Sequence, residues 1–409
     1  MRGLPRETWV LALVAFCVAL GFGIVAPAVP LFALEFGVGT TAAGAVVSAF
    51  ALMRLVSGLA AGRLVDRVGE RQALLAGLGV VAGSSLLAGL AVSYPQLLVL
   101  RGLGGVGSAV FTISSTSLLL RVATAAQRGR TQSVYRGGFL LGGIVGPAFG
   151  GLVLAVSVRA PFFLYAGTLA LAMVAAATLL PKPPPKDPSA PAPPQARTSL
   201  PEALRVPAYR AALAGNFAIG YSLFGVRTTL VPLLVVQGLD LGPEWIGFAF
   251  TVGAGVQALL LVPAGKAVDD LGRRPALVVG GLVTAAGLGL LALADGVAGL
   301  LVATVVLSAG GSLLGVAPAA VVGDVVKGRG GTAVALWQMS SDLGAVIGPV
   351  AAGVLVDRGS FGLALAVSAA VVGLCGLSGL AVPPGRAYDD EGPEPGAASQ
   401  EGAGPSPSR

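Results

Sequence analysis

Long apolar runs recur along the whole chain and limit what it can fold into more than any other feature. Each run is about 20 residues or longer, the length that an α-helix needs to cross the hydrocarbon core of a bilayer. Because the chain is 55% hydrophobic and only 11% charged, a soluble core could not bury these runs. They predict an all-α integral membrane protein whose partner is the lipid bilayer. We place twelve spans at about 8–30, 42–62, 72–92, 96–120, 132–156, 161–180, 208–234, 244–264, 275–294, 299–322, 332–356 and 361–382.

The basic residues give the expected orientation. If both termini are cytoplasmic, 20 of the 26 lysines and arginines fall in cytoplasmic loops or at cytoplasmic helix ends. Only Arg159 and Arg358 fall outside, and four arginines lie within spans. This asymmetry follows the positive-inside rule, so the net charge of +7 requires no nucleic-acid partner. We predict a multi-pass protein of the cell membrane with both termini in the cytoplasm.

The chain has few residues that could perform catalysis. It contains no histidine, and its two cysteines, Cys17 and Cys375, lie inside apolar runs. Metal clusters, disulfide frameworks and Ser-His or Cys-His catalysis therefore lack the residues that would build them. We predict that the protein is not an enzyme and that it binds no metal and no organic cofactor.

A charged turn occurs twice at the same place in two apolar contexts. Gly62–Arg71 reads GRLVDRVGER, and Gly265–Arg274, 203 positions later, reads GKAVDDLGRR. A glycine at the first position allows helices to approach, the second can take a positive φ, and the aspartate can cap a helix or pair with a cation. An ordinary loop between two helices would explain one copy. Two copies at matching positions indicate a duplicated membrane bundle.

The duplication divides the chain into two bundles joined by a polar segment. We predict an N-terminal six-helix bundle over 1–180, a proline-rich cytoplasmic linker over 181–207, a C-terminal bundle over 208–382 and a disordered acidic tail over 383–409. Nine prolines in the 21 residues from 181 to 201 prevent helix formation, and we interpret the segment as a tether more readily than as a docking site. Ser199 and Glu202 form a capping-box pattern that opens the next helix.

The two turns resemble the signature loop of the major facilitator superfamily, which joins its second and third helices and, in weaker form, its eighth and ninth. The resemblance implies two pseudo-symmetric six-helix bundles and a latch in which Asp66, and by symmetry Asp269, holds the cytoplasmic side closed in the outward-open state. Glu70 departs from the family, which usually has a cation there, so the first latch is expected to use Arg67 and Arg71 alone. The predicted gating-loop residues are Gly62, Asp66, Arg67, Gly69, Arg71, Gly265, Asp269, Gly272, Arg273 and Arg274.

Arg101 in the fourth span is followed by Gly102, Gly104 and Gly107. These glycines match the spacing of a dinucleotide-binding loop, but they lie in an apolar helix and follow no strand, so they do not predict nucleotide binding. An arginine in hydrocarbon costs about 3 kcal/mol or more and should face a cavity or a partner. The stretch resembles the fourth-helix motif of the superfamily, which implies a role for Arg101 in proton coupling. A structural arginine bonded to a helix end or a carboxylate is the alternative.

The fifth span carries glycines four residues apart around a proline. Such a pattern packs helices closely, and Pro147 removes one backbone hydrogen bond. The arrangement also resembles the antiporter motif of the drug–proton exporters in the superfamily, which implies export and not uptake. The predicted motif residues are Gly142, Gly146, Pro147 and Gly150, with Gly344, Gly348 and Pro349 as the second copy.

The remaining intramembrane polar residues predict a pathway through the protein. They occupy spans 2, 4, 5, 7, 8 and 11, whereas spans 3, 6, 9 and 12 carry no charge within their cores. Asp342 is the only carboxylate deep in a span, so we predict that it is the protonatable group and that it pairs with Arg101, Arg136 or Arg227. Asp324 is interpreted as a loop or cap residue. The predicted pathway residues are Arg54, Arg101, Arg136, Asn216, Arg227, Gln257, Gln338 and Asp342, and each could instead make a buried structural contact.

Together these features predict a secondary active transporter that functions as a monomer. We expect a proton-coupled exporter of a drug-like or other small organic compound, working by rocking of the two halves around a midplane site. The excess of intramembrane arginines favours an anionic, zwitterionic or neutral substrate. Two alternatives remain: an importer of a small organic anion with the same fold, and, more remotely, a membrane-embedded enzyme or a non-transporting sensor.

Overall fold

The computed structural model describes residues 4–123, 127–181, 199–326 and 331–384. Twelve helices in this part of the chain are long and apolar enough to cross a membrane, and the described residues contain no strand. The predicted all-α membrane fold is therefore confirmed, with helix ends that differ from the predicted spans by a few residues. The helices are α1 Arg6–Leu34, α2 Thr40–Val68, α3 Glu70–Gly89, α4 Tyr94–Val122, α5 Arg128–Val156, α6 Ala160–Leu179, α7 Pro207–Gly238, α8 Glu244–Asp270, α9 Arg273–Ala292, α10 Val297–Val325, α11 Gly331–Arg358 and α12 Phe361–Ala381.

The first helix of each half is irregular. Helix α1 is interrupted between Arg6–Val25 and Ala28–Leu34, and Pro27 lies at the break because proline has no amide hydrogen to donate. Helix α7 contains two π-helical stretches, Gly220–Val226 and Leu234–Gly238. Such π-helical turns leave irregular backbone in the middle of a span, a feature that is frequent at functional sites.

The helix bounds show the duplication directly. Helices α3 and α9 begin and end 203 residues apart, and so do α4 and α10. The glycine that precedes each third helix of a half has a positive φ, 88° at Gly69 and 97° at Gly272. Helices α1–α6 and α7–α12 are thus two copies of one arrangement.

Within each half, glycines let the fifth helix lie directly on the backbone of the first. A methyl group added to Gly142 would lie 2.7 Å from the backbone nitrogen of Leu20 in α1. In the second half, a methyl group on Gly344 would lie 2.5 Å from the nitrogen of Tyr221 in α7. The spacing of four residues strips one face of α5 and of α11, so the Gly-Pro motif has a packing function in both halves.

The two halves meet through their inner helices. The principal contacts between them join α2 to α11, α5 to α8, and the end of α1 to α7. Helices α3, α6, α9 and α12 pack mainly against helices of their own half. Apart from Arg101 on α4, the polar residues of the predicted pathway therefore lie on helices that contact the other half.

Much of the predicted linker and nearly all of the predicted tail lie outside the described residues. Where the linker ends, Leu200–Arg205 forms a short helix with the predicted capping box, in which the Ser199 amide donates to Glu202 at 2.9 Å. Hydrogen bonds from the amide and hydroxyl of Ser199 lower the pKa of the Glu202 carboxyl. The short helix leads directly into α7.

Candidate functional site

The two repeated turns, residues 62–71 and 265–274, lie on one side of the helix bundle, which we call the loop side. The described hydrogen bonds between the halves join residues 40–54 of α2 to residues 342–357 of α11. These residues run from the opposite side of the bundle to about its middle. Nearer the loop side, Gly58, Gly62 and Gly265 face open space. Among the described residues, the halves are therefore closed together on the opposite side and apart on the loop side.

Glycines make the closed contact on the opposite side. A methyl group on Gly151 would lie 2.5 Å from Cα of Gly247, which joins α5 to α8. A methyl group on Gly353 would lie 2.7 Å from Cα of Thr41, which joins α11 to α2. Gly44 of α2 belongs to the same contact, because a methyl group added to it would clash with the carbonyl of Pro349 in α11. Gly44 and Gly247 are 203 positions apart, and so the closed contact follows the internal symmetry.

Asp357 adds a charged cap to this contact. Its carboxylate accepts hydrogen bonds from the backbone nitrogens of Thr40 at 2.9 Å and Thr41 at 2.8 Å, and from the Thr41 hydroxyl at 2.6 Å. It therefore satisfies the free amides at the start of α2 from the other half of the protein. Asp357 is not among the site residues that the sequence predicts. The sequence feature that could have indicated it is an aspartate in the last turn of a predicted helix, where the helix dipole disfavours negative charge.

An ion pair joins the halves near the middle of the bundle. Nη2 of Arg54 in α2 contacts Oδ1 of Asp342 in α11. The predicted partners Arg101, Arg136 and Arg227 are therefore wrong for this conformation. The physical reason is that α2 and α11 pack against each other across the interface, whereas those three arginines turn toward their own half or toward open space.

Arg101 and Arg227 are buried over aromatic rings. Arg101 is 5% exposed, and its guanidinium carbon lies 4.8 Å from the ring centre of Phe50. Arg227 is 9% exposed and lies 4.7 Å from the ring centre of Phe250. Within the described part of the chain, neither side chain makes an ion pair or a hydrogen bond. The glycines after Arg101 are packing positions in α4, since a methyl group on Gly104 would lie 3.4 Å from the Phe50 ring.

The other predicted pathway residues are not gathered in one place. Asn216 donates to the Trp337 carbonyl at 2.5 Å and to the Ser340 hydroxyl at 3.4 Å, which ties α7 to α11 within one half. Arg136 and Gln338 are exposed, and Gln257 is half-buried beside α10. Of the eight predicted residues, the structure thus joins Arg54 and Asp342 directly, and Asn216 makes the buried structural contact that was its alternative role.

The gating loops have the predicted turn, and in the second loop Arg273 donates from Nη1 to the predicted partner Asp269 at 3.5 Å. Arg71 donates from Nε to the Leu180 carbonyl at 3.0 Å and from Nη2 to the Ala177 carbonyl at 2.5 Å, so it caps the end of α6. The latch is expected in the state that is closed on the loop side, so a contribution of Arg71 to it stays a prediction. Asp66, Arg67 and Asp269 are exposed, as is consistent with a loop side that stands open.

Glu70 has a partner that explains its departure from the family pattern. Glu70 is 4% exposed and accepts from Nη1 of Arg121 at the end of α4, at 2.9 Å. In the second half Arg273 donates from Nε to Asp324 at 2.8 Å. Positions 70 and 273, and positions 121 and 324, are equivalent in the repeat, so the two halves carry the same ion pair with the charges exchanged.

The interpretation of Asp324 as a loop or cap residue is therefore wrong, because it is the acidic member of this pair. The signal was present in the sequence: moving 203 positions from Arg121 gives Asp324, just as moving from Glu70 gives Arg273. Arg274, the last predicted gating residue, is half-buried at the start of α9.

A cavity of about 370 Å³ lies between α5 and α8 on the opposite side. Its walls are mainly apolar and include Leu152, Trp245 and Phe248, with Glu244 at its edge. The predicted pathway residues do not line it. It lies beside the closed contact, and it is separate from the Arg54–Asp342 pair.

Comparisons with known proteins agree with this architecture. The chain matches the family model described as Major Facilitator Superfamily over residues 11–245 and 212–407. Among solved structures, it resembles a bacterial homolog of the human lysosomal transporter Spinster, with a TM-score of 0.74 at 15% identity, covering 92% of this chain and 96% of that one. A POT family transporter in complex with 5-aminolevulinic acid gives a TM-score of 0.73 at 12% identity, with the same coverage. At these identities the likeness concerns the fold.

Two named relatives are similar to this chain over part of its length. Multidrug resistance protein 2 of Bacillus subtilis (strain 168) is 31% identical over 163 residues, which is 40% of this chain and 40% of that protein. Quinolone resistance protein NorA of Staphylococcus aureus (strain MRSA252) is 28% identical over 170 residues, 41% of this chain and 42% of that protein. The chain thus spans about two fifths of the length of these relatives in each alignment.

Proposed function

The chain belongs to the major facilitator superfamily, and from that premise we propose that it exports a drug-like or other small organic compound in exchange for protons. The similarity to proteins named for multidrug and quinolone resistance supports export, as does the Gly-Pro motif in α5 and α11. Alternating access of two repeated bundles provides the general mechanism.

The loop side is the cytoplasmic side in this proposal. Most lysines and arginines lie there, as the positive-inside rule requires. The conformation described above is then closed toward the outside and open toward the cytoplasm. This is the conformation in which an exporter takes up its substrate and releases its proton.

The Arg54–Asp342 pair is the observation that carries proton coupling. It links the halves through α2 and α11, and it exists only while the Asp342 carboxylate is ionised. A proton that reaches Asp342 removes the negative charge, breaks the pair and leaves Arg54 to be satisfied by water or substrate. Loss of the proton restores the pair and favours the outward-closed arrangement. A single proton thus changes the relative free energy of the two conformations.

Transport in everted membrane vesicles tests both direction and coupling. We expect vesicles that contain the protein to accumulate norfloxacin, a fluorescent quinolone, when their interior is acidified, and to lose it when an uncoupler is added. Accumulation that requires the opposite gradient would indicate the importer. The Asp342→Asn variant should lose accumulation driven by the gradient while it retains exchange of labelled for unlabelled norfloxacin.

Asp295→Asn is the matched control, because Asp295 is an exposed carboxylate in the loop between α9 and α10. It should accumulate norfloxacin as the wild type does. Full gradient-driven accumulation by Asp342→Asn would refute the assignment of Asp342 as the coupling group.

A further inference from the structure

The two interfaces between the halves are built differently on the opposite side. At the α2–α11 interface, Asp357 caps the start of α2, and the Ser48 hydroxyl donates to the Val346 carbonyl at 2.6 Å. At the α5–α8 interface on this side, no hydrogen bond or ion pair joins the described residues, and the backbones meet where Gly151 lies against Gly247. This second interface therefore depends on close packing.

The cavity of about 370 Å³ interrupts that packing next to the glycine contact. Ala148 and Leu152 of α5 form one wall, and Trp245 and Phe248 of α8 form the other. Side chains around a vacant space lose dispersion contacts that a bound molecule would restore. The volume is within the range of small-molecule sites, roughly 300–1,000 Å³. A molecule in this cavity would contact both halves of the protein at once.

The cavity opens at the surface of the bundle and not toward the loop side. Ala148, Leu152 and Phe248 are exposed, although they belong to membrane-spanning helices. Leu152 lies four residues before the end of α5, and Phe248 lies four residues after the start of α8. Four residues of helix span about 6 Å, so the cavity lies just below the ends of these helices on the opposite side. An amphiphilic molecule can reach it from the bilayer, with its polar group toward the water.

Glu244 places a negative charge at the rim of the cavity. It lies at the edge of the cavity and has no ion pair with the described residues. A methyl group on Gly242 would contact its carboxylate, so the charge lies toward the loop that leads into α8. The last turn of α5 carries no charged residue, whereas the equivalent turn of α11 carries Asp357 and Arg358. Helix α5 therefore provides no partner for Glu244.

Charge and aromatic rings at this end of the cavity favour a cation. The ring centres of Trp245 and Phe248 lie 5.7 Å apart with their planes at 89°, and an ammonium group is attracted to the face of such a ring. The opposite side as a whole also carries more acidic than basic residues. The acidic residues are Glu35, Asp240, Glu244, Asp295 and Asp357, and the basic residues are Arg159 and Arg358.

We propose that the cavity between α5 and α8 binds an amphiphilic aromatic cation and that the bound molecule holds the opposite side closed. The ammonium group lies at the rim near Glu244, and the aromatic body fills the space between Leu152 and the ring of Phe248. Because each half contributes one wall, the site is complete only while the halves are together here. Binding therefore stabilises that state by mass action and inhibits rocking. The site is separate from the opening on the loop side.

Binding of three probes to the purified full-length protein tests the choice of ligand. The probes are the cation (2-naphthylmethyl)trimethylammonium, the neutral 2-naphthylmethanol and the anion 2-naphthylacetate, measured by calorimetry in one buffer with an uncharged detergent. We expect the cation to bind at least about fivefold more tightly than the other two, as one exposed ion pair with an aromatic contact would give. Titration into empty micelles corrects for partition into the detergent.

Two pairs of variants locate the binding site. Ala148→Phe fills the cavity and should weaken the cation more than about tenfold, whereas Ala170→Phe, at an exposed alanine of α6, should leave its affinity unchanged. Glu244→Gln should remove the preference for the cation over 2-naphthylmethanol, whereas Asp240→Asn, at an exposed carboxylate in the same loop, should preserve it. Leu152→Trp fills the cavity instead if Ala148→Phe fails to fold.

A cysteine at the other interface reports whether the cation holds the halves together. Ser48 of α2 is buried and is not part of the cavity, so a bound probe cannot shield it directly. With Cys17 and Cys375 replaced by serine, Ser48→Cys should react with an impermeant maleimide about tenfold more slowly when the free cation is at about ten times its Kd. The same concentration should have no effect when Ala148→Phe is also present.

Equal affinity for the cation and 2-naphthylmethanol, or an affinity for the cation that Ala148→Phe and Glu244→Gln both leave unchanged, would overturn the proposal. Binding of the cation at this site with an unchanged maleimide rate would reject its action on the closed contact. None of these measurements requires a proton gradient or a direction of transport. Loss of norfloxacin export would therefore leave the cation site intact.

Discussion

Asp357 shows how one side chain can hold the opposite side of the bundle closed. It accepts two backbone amides and one hydroxyl from the first turn of α2, across the interface between the halves. Each hydrogen bond to a charged group contributes roughly 1.5–3 kcal/mol where it is protected from water, and less where, as here, the site is partly exposed. In the proposed rocking mechanism the contact would be lost when the opposite side opens, so its free energy would act directly on the equilibrium between the two conformations.

Asp357→Asn should therefore open the opposite side more often. Ser48 lies beneath the closed contact and is buried, with its hydroxyl bonded to the Val346 carbonyl at 2.6 Å. In a background with Cys17 and Cys375 replaced by serine, Ser48→Cys should react about tenfold faster with an impermeant maleimide when Asp357 is asparagine. A change of about 1.4 kcal/mol in the free energy of opening would give this factor.

Glu35→Gln is the control, because Glu35 is an exposed carboxylate on the same side, and it should leave the reaction rate of Ser48→Cys unchanged. An unchanged rate in Asp357→Asn would remove its role in the gate.

Gly69 and Gly272 meet a requirement that only glycine satisfies. Their φ and ψ values are 88° and 154°, and 97° and 162°, a region that residues with a Cβ almost never occupy. Gly69→Ala and Gly272→Ala should each lower the free energy of unfolding by about 1–3 kcal/mol, measured as a fall in thermal midpoint in detergent. The added methyl group of Gly265→Ala would face open space on an ordinary helical backbone. The thermal midpoint of this variant should therefore stay the same or rise. Equal midpoints for all three would contradict a strained turn.

At the scale of elements, the exchanged ion pairs tie the start of the third helix to the end of the fourth in each half. Glu70 with Arg121 in the first half corresponds to Arg273 with Asp324 in the second. The interaction has been kept while its polarity has been reversed. What matters to the fold at these positions is the presence of one charge of each sign.

Exchanging the charges of the first pair tests this interpretation. Arg121→Asp places two carboxylates together with one of them buried, and we expect it to cost about 2 kcal/mol, less than a fully buried pair because Arg121 is 27% exposed. The double variant Glu70→Arg with Arg121→Asp reproduces the arrangement of the second half and should recover most of the lost thermal stability. Arg273→Glu, alone and with Asp324→Arg, provides the same comparison in the other half. If, in both double variants, the two substitutions lowered thermal stability independently and additively, the pairs would not stabilise the fold.

Considered as a whole, the molecule has a fold that its sequence predicts and an interface that its sequence does not. The spans follow from the length and apolarity of each run, and the duplication follows from the 203-residue offset. The partner of Asp342 was assigned wrongly because the offset relates residues within one half to their counterparts, and it gives no information about which side chains meet across the halves. The contact of Arg54 with Asp342 and that of Asp357 with α2 depend on the crossing of α2 and α11, a property of the assembled bundle.

The closed contact on the opposite side predicts how the whole molecule would respond to one added side chain. Gly247 in α8 lies against Gly151 of the other half, with no room for a Cβ, whereas Gly255 in the same helix faces open space. Gly247→Val should therefore keep the opposite side apart and let the loop side close, while the matched variant Gly255→Val should leave the described state in place. Because rocking of two rigid halves couples the two ends, opening on one side requires closing on the other.

Spin labels at exposed positions can measure both ends in the same protein. A pair at Glu35 and Asp295 reports the opposite side, and a pair at Val68 and Leu271 reports the loop side. In Gly247→Val the first distance should lengthen and the second should shorten, and neither should change in Gly255→Val. In the proposed export mechanism substrate enters from the loop side, so the valine variant, which cannot return to the described state, should also lose gradient-driven norfloxacin accumulation. Lengthening at the opposite side without shortening at the loop side would mean that the two ends open independently, and a rocking mechanism would then have to be abandoned for this protein.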